Sequence, residues 1–410
     1  MNEKFRNLIA ISALVCVMLF LADAIIPDSL LPDFEISQKS DSQELSSDFS
    51  SDKAFEVSSQ SDGSDGLQMQ EETQSTATTD LRYYYNALNE QERVVYDQIL
   101  RSIVAREDVV LDTLDDNCVD KVYQCVMNDY PEIYYSASYQ LEKQMRDAQI
   151  VRLVFSPGYH MTPEEQQSCL QGIEQYVTQC MNGVPAGADE YGKVKYVYEY
   201  IIENTEYVLN CENNQNICSV FLNGQSVCQG YAKAAQYILT RMGIEITLAY
   251  GRVENDFHSW NLVRVDGDYY YMDPTWGDAG YVRPGSSTER EDPRSVNYEY
   301  FLITTKQIAN SHEIDNVVPL PACVSARNNY YVREGLYLSV YDETMLQHIF
   351  ERAEESGSGF ATFMCSDAAL YGQIKQNLIT EQGVFAYLNS AQSVSYTYND
   401  DLYTLIFWIE

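Results

Sequence analysis

The sequence predicts an α+β protein, because helix patterns and strand patterns occupy separate blocks along the chain. Residues 224–243 have a helix pattern, in which apolar residues recur every three or four positions up to a terminal glycine. Residues 258–274 form two extended runs joined by Asp266-Gly267, a dipeptide typical of two-residue hairpin loops. After Pro321 strand and helix patterns alternate and end in a hairpin, which predicts a small α+β domain with an antiparallel sheet over residues 322–410.

Helix signals dominate residues 81–183, which we predict to be a mostly helical N-terminal domain. Asn89 and Glu92 have the spacing of a capping box in front of an amphipathic helix. Residues 162–165, Thr-Pro-Glu-Glu, combine a cap residue, a first-turn proline and a reciprocal glutamate, so a helix is predicted from there to Gly183. Three further elements are predicted: a helix at 119–127, a strand at about 148–155, and, in the following domain, a helix at about 189–204.

The N-terminal segment predicts export from the cytoplasm. Residues 8–22 are an uncharged apolar run that follows two basic residues, and residues 22–24 have the small-x-small form of a signal cleavage site. The run is short for a membrane span, which needs about 20 apolar residues. Residues 1–27 are therefore predicted to be a cleaved signal peptide or an uncleaved membrane anchor, and the Ser- and Asp-rich residues 28–80 a disordered linker.

The charge balance argues against a nucleic-acid partner. The chain has 61 acidic and 26 basic residues, a net charge of -35, and no basic run outside the first few residues. Nucleic-acid binding depends on clustered basic side chains that displace counterions from phosphates, and this sequence has no such cluster.

Ten cysteines allow two interpretations. Eight remain when Cys16 of the apolar run and Cys228 are set aside, and an even number in an exported protein permits disulfides, with Cys211–Cys218 as the first candidate pair. Buried free thiols explain the four cysteines on predicted helices equally well. No CxxC or HxxxH spacing and no calcium-loop pattern occurs, so no metal or other cofactor is predicted.

Cys228 is the candidate nucleophile, because it lies in the first turn of the helix predicted after Gly224. Unpaired backbone N–H groups and the helix dipole favour a thiolate at that position. The dipole contributes about 0.3 to 1 kcal/mol, less than one pKa unit, so a cationic partner is needed for a dominant thiolate at neutral pH. Histidine is the obvious candidate for this partner, and the chain has four.

Hairpin geometry selects His258 as that partner. If the loop between the two extended runs has two residues, Asp273 lies opposite Trp260. His258 is two residues from Trp260, so His258 and Asp273 share a face as diagonal neighbours, roughly 7 to 8 Å apart at the backbone. Cys228, His258 and Asp273 are thus the predicted nucleophile, base and orienter. A three-residue loop would place the last two on opposite faces.

Two segments resemble the motifs of the transglutaminase-like superfamily. They are GQSVCQGYA at 224–232 and HSWNLVRVDGDYYYMDPTWGD at 258–278, and the resemblance extends over about residues 190–320, in the manner of bacterial extracellular members. It implies that residues 184–321 form a papain-like α+β core, in which the nucleophile helix packs on an antiparallel sheet.

The resemblance also implies a thiol mechanism. Cys228 would attack an amide carbonyl, His258 would protonate the leaving amine, and Asp273 would keep the imidazole in the useful tautomer. The thioester would then pass its acyl group to an amine or to water. The backbone N–H of Cys228 and the side chain of Tyr207 or Gln225 are the candidate oxyanion donors.

For the other aromatic and histidine residues, a structural role in packing is an alternative to a functional role. Trp260 and Trp276 either wall the substrate cleft or pack in the core of the sheet. His312 is assigned to surface or packing, and neither His160 nor His348 has a partner that the sequence identifies.

The predicted function is that of an extracytoplasmic cysteine enzyme acting on amide bonds of proteins or peptides, as an acyltransferase or as a peptidase. One alternative is a cell-wall peptide hydrolase. Another is a non-catalytic surface module that retains the fold and binds peptide or glycan through its Tyr-rich C-terminal domain, although the tyrosines there also fit ordinary cross-strand packing.

Overall fold

The computed structural model of the protein describes residues 81–281, 296–389 and 393–409. Helices and sheets both contribute over these ranges, as the predicted α+β class requires. The apolar run at 8–22 and the linker predicted at 28–80 lie outside the described residues. Within the described ranges, no helix combines the length and the apolar composition needed to cross a bilayer.

Residues 81–183 contain a three-stranded antiparallel sheet in addition to the predicted helices. The elements are α1 (Tyr83–Ala87), α2 (Glu90–Ala105), β1 (Val109–Val110), α3 (Asp116–Asp129), β2 (Ser136–Arg146), β3 (Gln149–Tyr159) and α4 (Pro163–Gly183). Both predicted capping boxes are present. The Asn89 side chain accepts a hydrogen bond from the Glu92 N–H at 2.9 Å, and Thr162 accepts one from the Glu165 N–H at 3.2 Å.

The β2–β3 hairpin accompanies the predicted helices, and its second strand, β3, covers the strand predicted at about 148–155. Most β2 side chains are exposed or half-buried, and the alternation of apolar and polar residues is limited to Tyr139 and Leu141 and their neighbours. The turn residues Asp147 and Ala148 both have positive φ, 49° and 63°. Neither is glycine or asparagine, so the usual hairpin signal is absent from the sequence.

A five-stranded antiparallel sheet lies at the centre of residues 184–321. The elements are α5 (Glu190–Asn204), β4 (Glu206–Tyr207), a π-helix (Ser219–Asn223), β5 (Gln225–Ser226), α6 (Cys228–Arg241), β6 (Ile246–Val253), β7 (Asp256–Val265), β8 (Asp268–Met272), α7 (Pro274–Asp278), β9 (Phe301–Ile303), α8 (Thr305–Ile308) and β10 (His312–Ile314). The strand order is β10-β6-β7-β8-β9. Val265 pairs with Asp268, the register predicted for a two-residue loop, and Gly267 supplies the positive φ of 86° that such a loop needs.

The two faces of this sheet pack against different hydrophobic clusters, because neighbouring side chains on a strand point in opposite directions. Val263 joins a cluster with α6 and the helices of residues 81–183. Leu262 joins a cluster with the C-terminal residues. Because the first cluster runs from Tyr84 to Val318, the predicted boundary after residue 183 does not separate two hydrophobic cores.

The C-terminal segment carries a four-stranded sheet in the order β11-β12-β14-β13. Its elements are α9 (Tyr330–Arg333), β11 (Tyr337–Leu338), α10 (Glu343–Ser356), β12 (Phe360–Cys365), α11 (Ala368–Lys375), β13 (Val394–Asn399) and β14 (Thr404–Ile409). The β12–β14 and β13–β14 pairs are antiparallel as predicted, whereas the β11–β12 pair is parallel, so the sheet is mixed. Helix α10 follows β11 and precedes β12 in the sequence, and it provides the long crossover connection that a parallel pair requires. On β13, Tyr396 is partly exposed and packs across the strands on Phe407.

The nine cysteines among the described residues are free thiols. The candidate pair Cys211–Cys218 is not bridged. The Cys211 sulfur lies 3.4 Å from the Val208 carbonyl and 3.3 Å from the Gln225 carbonyl. The Cys218 thiol contacts Cys169 instead.

Candidate active site

Cys228 is the first residue of α6 and is buried, with 3% of its surface exposed. A parallel ribbon of β4 and β5 leads into this turn and pairs Tyr207 with Ser226. Gly230 is required here, because a Cβ atom on it would lie 1.9 Å from the Ser226 hydroxyl oxygen. The close approach of ribbon and helix fixes the first turn of α6, where the helix dipole favours an anionic sulfur.

His258 and Asp273 are in direct contact. His258 Nε2 lies 2.6 Å from Asp273 Oδ2, and both residues are buried. The other carboxylate oxygen, Oδ1, caps α7 by accepting hydrogen bonds from the N–H groups of Thr275 at 2.9 Å and Trp276 at 3.2 Å. Because Nε2 of His258 is engaged, Nδ1 is the ring nitrogen left for the Cys228 sulfur, which is hydrogen-bonded to the same imidazole.

The electrostatics of this contact keep His258 protonated over the neutral range. Burial lowers the pKa of His258, but the Asp273 carboxylate and the Cys228 sulfur outweigh burial and raise this pKa to about 10. Burial raises the pKa of Asp273. Its two histidine partners outweigh burial and hold the pKa of this carboxyl below the usual range. The resulting imidazolium is the cationic partner that a thiolate at Cys228 requires.

His312 also lies in this site, so its assignment to surface or packing alone is wrong. Its Nε2 is 3.2 Å from Asp273 Oδ2, its Nδ1 is 2.8 Å from Ser311 Oγ, and the residue is buried. Burial lowers the pKa of His312, and the Asp273 carboxylate opposes this effect without cancelling it. The sequence argument missed His312 because β10 pairs with β6, whereas the hairpin register relates only β7 and β8.

Residues 177–274 match the model of a family described as the transglutaminase-like superfamily. These residues form a transglutaminase-like core. The match includes Cys228, His258 and Asp273, and it confirms the resemblance and the papain-like α+β class predicted from the sequence. Residues 275–320, to which the resemblance also extended, lie outside the match.

Two solved structures are similar to parts of the chain. The crystal structure of a TGase has 15% sequence identity and a TM-score of 0.24, and the similarity covers 41% of this chain and 51% of that one. The periplasmic domain of TgpA from Pseudomonas aeruginosa has 20% identity and a TM-score of 0.22, with coverage of 31% and 56%. The chain therefore spans about half the length of these structures. No curated protein matches it.

The two tryptophans that the sequence analysis placed near the site differ in exposure. Trp260 is fully buried and stacks near His258, with ring centroids 5.9 Å apart, so it packs beneath the site and does not wall a cleft. Trp276 retains 8% exposure at 6.4 Å from the His258 ring and stays a candidate for the cleft. The candidate oxyanion residues Tyr207 and Gln225 lie on the ribbon that leads to the nucleophile turn.

Three side chains of the core and its flank could share a metal ion. Among the described residues, His258, Asp273 and His312 offer ligand atoms that all lie within 4.8 Å of one another. Hydrogen bonds between the carboxylate and the two imidazoles already pair these atoms, so the arrangement is explained without an ion.

The raised pKa of His258 can be measured by NMR of a sample labelled in its histidine rings. We expect one imidazole resonance to titrate with a midpoint near pH 10, because the carboxylate and sulfur retain its proton through neutral pH. The resonance should be absent from His258→Gln. A His258 midpoint at or below about 6.5, the ordinary value, would show that burial outweighs the ion pair.

Proposed function

We propose that the protein is an extracytoplasmic thiol enzyme that acts on amide bonds of proteins or peptides. The observation that carries this proposal is the continuous contact from a buried helix-start cysteine, through His258, to the Asp273 carboxylate. The N-terminal sequence supports export, since two basic residues precede the apolar run at 8–22 and residues 22–24 have the form of a signal cleavage site.

In the first half of the proposed reaction, the Cys228 thiolate attacks the carbonyl carbon of an amide. The negative charge moves to the carbonyl oxygen, which the N-terminal end of α6 stabilises through its backbone N–H groups. His258 then donates its Nδ1 proton to the leaving nitrogen, so the C–N bond breaks and an amine departs. The enzyme is left as a thioester with a neutral His258.

In the second half, the neutral imidazole accepts a proton from the incoming amine or water as that nucleophile attacks the thioester. The C–S bond breaks, the sulfur leaves as a thiolate, and the imidazolium is restored. Asp273 stabilises this imidazolium in both halves, and its two bonds to the α7 backbone hold the carboxylate in place. Acyl transfer and hydrolysis therefore use the same residues and differ only in the acceptor.

The acceptor can be identified by incubating the protein with a glutamine-containing peptide, with and without a fluorescent primary amine. Covalent labelling of the peptide indicates transfer, whereas ammonia release with conversion of the glutamine to glutamate, and no labelling in the presence of the amine, indicates hydrolysis. A third incubation with cell-wall stem peptides, followed by measurement of new amino groups, tests the wall-hydrolase alternative.

The non-catalytic alternative is tested by alkylation. If no substrate is turned over and Cys228 reacts with iodoacetamide at pH 6 no faster than an ordinary exposed thiol, the enzymatic proposal fails and the binding module gains support.

A further inference from the structure

We infer that His312 is a positioning residue for the triad, a second and uncharged imidazole that fixes the Asp273 carboxylate against His258. The inference rests on the proposed function for its role in catalysis. The inference adds His312 to the three triad residues. This side chain acts through the Asp273 carboxylate and not by contact with the Cys228 sulfur.

The hydrogen bonds of Asp273 are divided between its two oxygens. Oδ1 accepts two backbone N–H groups of α7, at 2.9 and 3.2 Å. Oδ2 lies 2.6 Å from Nε2 of His258 and 3.2 Å from Nε2 of His312. A carboxylate with two amides on one oxygen and two imidazoles on the other cannot rotate about its Cβ–Cγ bond without breaking bonds at both oxygens.

The neighbours of His312 select its neutral tautomer. Ser311 Oγ lies 2.8 Å from Nδ1 of His312, and Tyr300 Oη lies 3.1 Å from Ser311 Oγ. A consistent row of hydrogen bonds results if the hydroxyl of Tyr300 donates to that of Ser311, Ser311 donates to Nδ1 of His312, and Nε2–H donates to the carboxylate. His258 and Asp273 are the charged groups that face His312, so an uncharged ring adds a donor without adding a second cation beside the imidazolium.

Packing holds this ring in one place. The His312 ring centroid lies 4.9 Å from that of Trp260, 4.8 Å from that of Trp276 and 5.4 Å from that of Tyr300. These aromatic side chains enclose the imidazole, which is 3% exposed. Its buried nitrogens therefore keep the partners that the fold gives them.

The turn between β13 and β14 supports the row from the C-terminal side. Asn310 Nδ2 donates to the Asp401 carbonyl at 2.6 Å, and Asn399 Nδ2 donates to Glu299 Oε2 at 3.2 Å. Asn310 and Glu299 directly precede the serine and the tyrosine of the row in sequence. The C-terminal segment thus fixes the backbone from which both hydroxyl groups project.

The experiment compares His312→Ala with His312→Gln and uses alkylation of Cys228, which does not depend on turnover. The rate constant with iodoacetamide is measured from pH 5 to 9 by mass spectrometry of the Cys228 peptide, which separates this thiol from the others. His312→Ala is expected to lower the rate at pH 6 by roughly 10- to 100-fold, because a mispositioned carboxylate stabilises the imidazolium and the thiolate less. The glutamine amide offers an N–H near the place of Nε2, so His312→Gln should stay within about threefold of wild type.

Equal rates for wild type and His312→Ala would overturn the inference, and so would equal losses in His312→Ala and His312→Gln at unchanged melting temperature. If His312→Ala does not fold, Ser311→Ala decides. It removes the donor to Nδ1 and leaves no large cavity. A fall in rate of about threefold or more supports the inference, and an unchanged rate contradicts it. A wild-type protein that turns over no amide while these alkylation differences persist refutes the proposed function alone.

Discussion

Replacing Cys228 by serine is expected to lower amide turnover by roughly 10³-fold or more, whichever acceptor the enzyme uses. The hydroxyl is nearly isosteric with the thiol, but its proton is far harder to remove, so the imidazolium of His258 cannot sustain an alkoxide. Cys228 is buried at the start of α6, and serine is also tolerated at helix starts. The variant should therefore fold, with a melting temperature within a few degrees of wild type.

The matched control is Cys118→Ser, the same substitution at a partly exposed thiol on α3, outside the site. It should retain wild-type turnover in both the amine-transfer and the ammonia-release assays. Turnover by Cys228→Ser within tenfold of wild type would contradict the thiolate mechanism, because Cys228 is the cysteine that is hydrogen-bonded to His258.

The sequence predicts the nucleophile side of the site well because the relevant signals are local. The apolar spacing after Cys228 determines α6, and the Asp-Gly loop determines the β7–β8 register. That register brings His258 and Asp273 together without any information from the rest of the chain. Each of these features depends on residues within about fifteen positions of one another.

The sequence does not predict features that depend on distant pairing or on unusual turn residues. His312 reaches Asp273 because β10 pairs with β6, and the β10 segment has only three residues in which to show a pattern. The parallel β11–β12 pair likewise depends on a crossover through α10. Trp260 has the same sequence signal whether it walls a cleft or packs beneath one, and only its complete burial distinguishes the two.

Replacing Asp273 by asparagine is expected to have the second large effect, a fall in turnover of roughly 10³- to 10⁴-fold. Asparagine preserves the shape of the side chain and can still cap α7 through its carbonyl oxygen. It removes the anion that raises the pKa of His258, so burial then dominates and favours the neutral imidazole. Without the imidazolium, Cys228 loses the cationic partner that a reactive thiolate requires. The control is Asp268→Asn, on the same hairpin but in an exposed ion pair with Arg327, which should leave turnover unchanged.

The same substitution should change how stability depends on pH, and the sign follows from the two pKa shifts. Folding raises the pKa of His258. The contribution of the protonated imidazole to the free energy of unfolding is therefore complete below the unfolded pKa of about 6.5, and it is lost as pH rises towards 10. Folding lowers the pKa of Asp273. The contribution of the ionised carboxylate to the free energy of unfolding is therefore complete above the unfolded pKa of about 3.9, and it is lost as pH falls. The wild type should therefore exceed Asp273→Asn in free energy of unfolding most strongly between about pH 4 and 6.5.

Breaking a buried ion pair from one side costs about 3 to 5 kcal/mol, which sets the expected size of this difference in urea unfolding at pH 5 to 6. The difference should narrow steadily from pH 7 to 10 as His258 loses its proton in the wild type. In a His258→Gln background that narrowing should disappear, because the titrating partner of the carboxylate is gone. A difference between wild type and Asp273→Asn that stays constant from pH 5 to 10 would mean that the carboxylate stabilises the fold without an ion pair to a titrating His258. In that case the imidazolium on which Cys228 depends does not form.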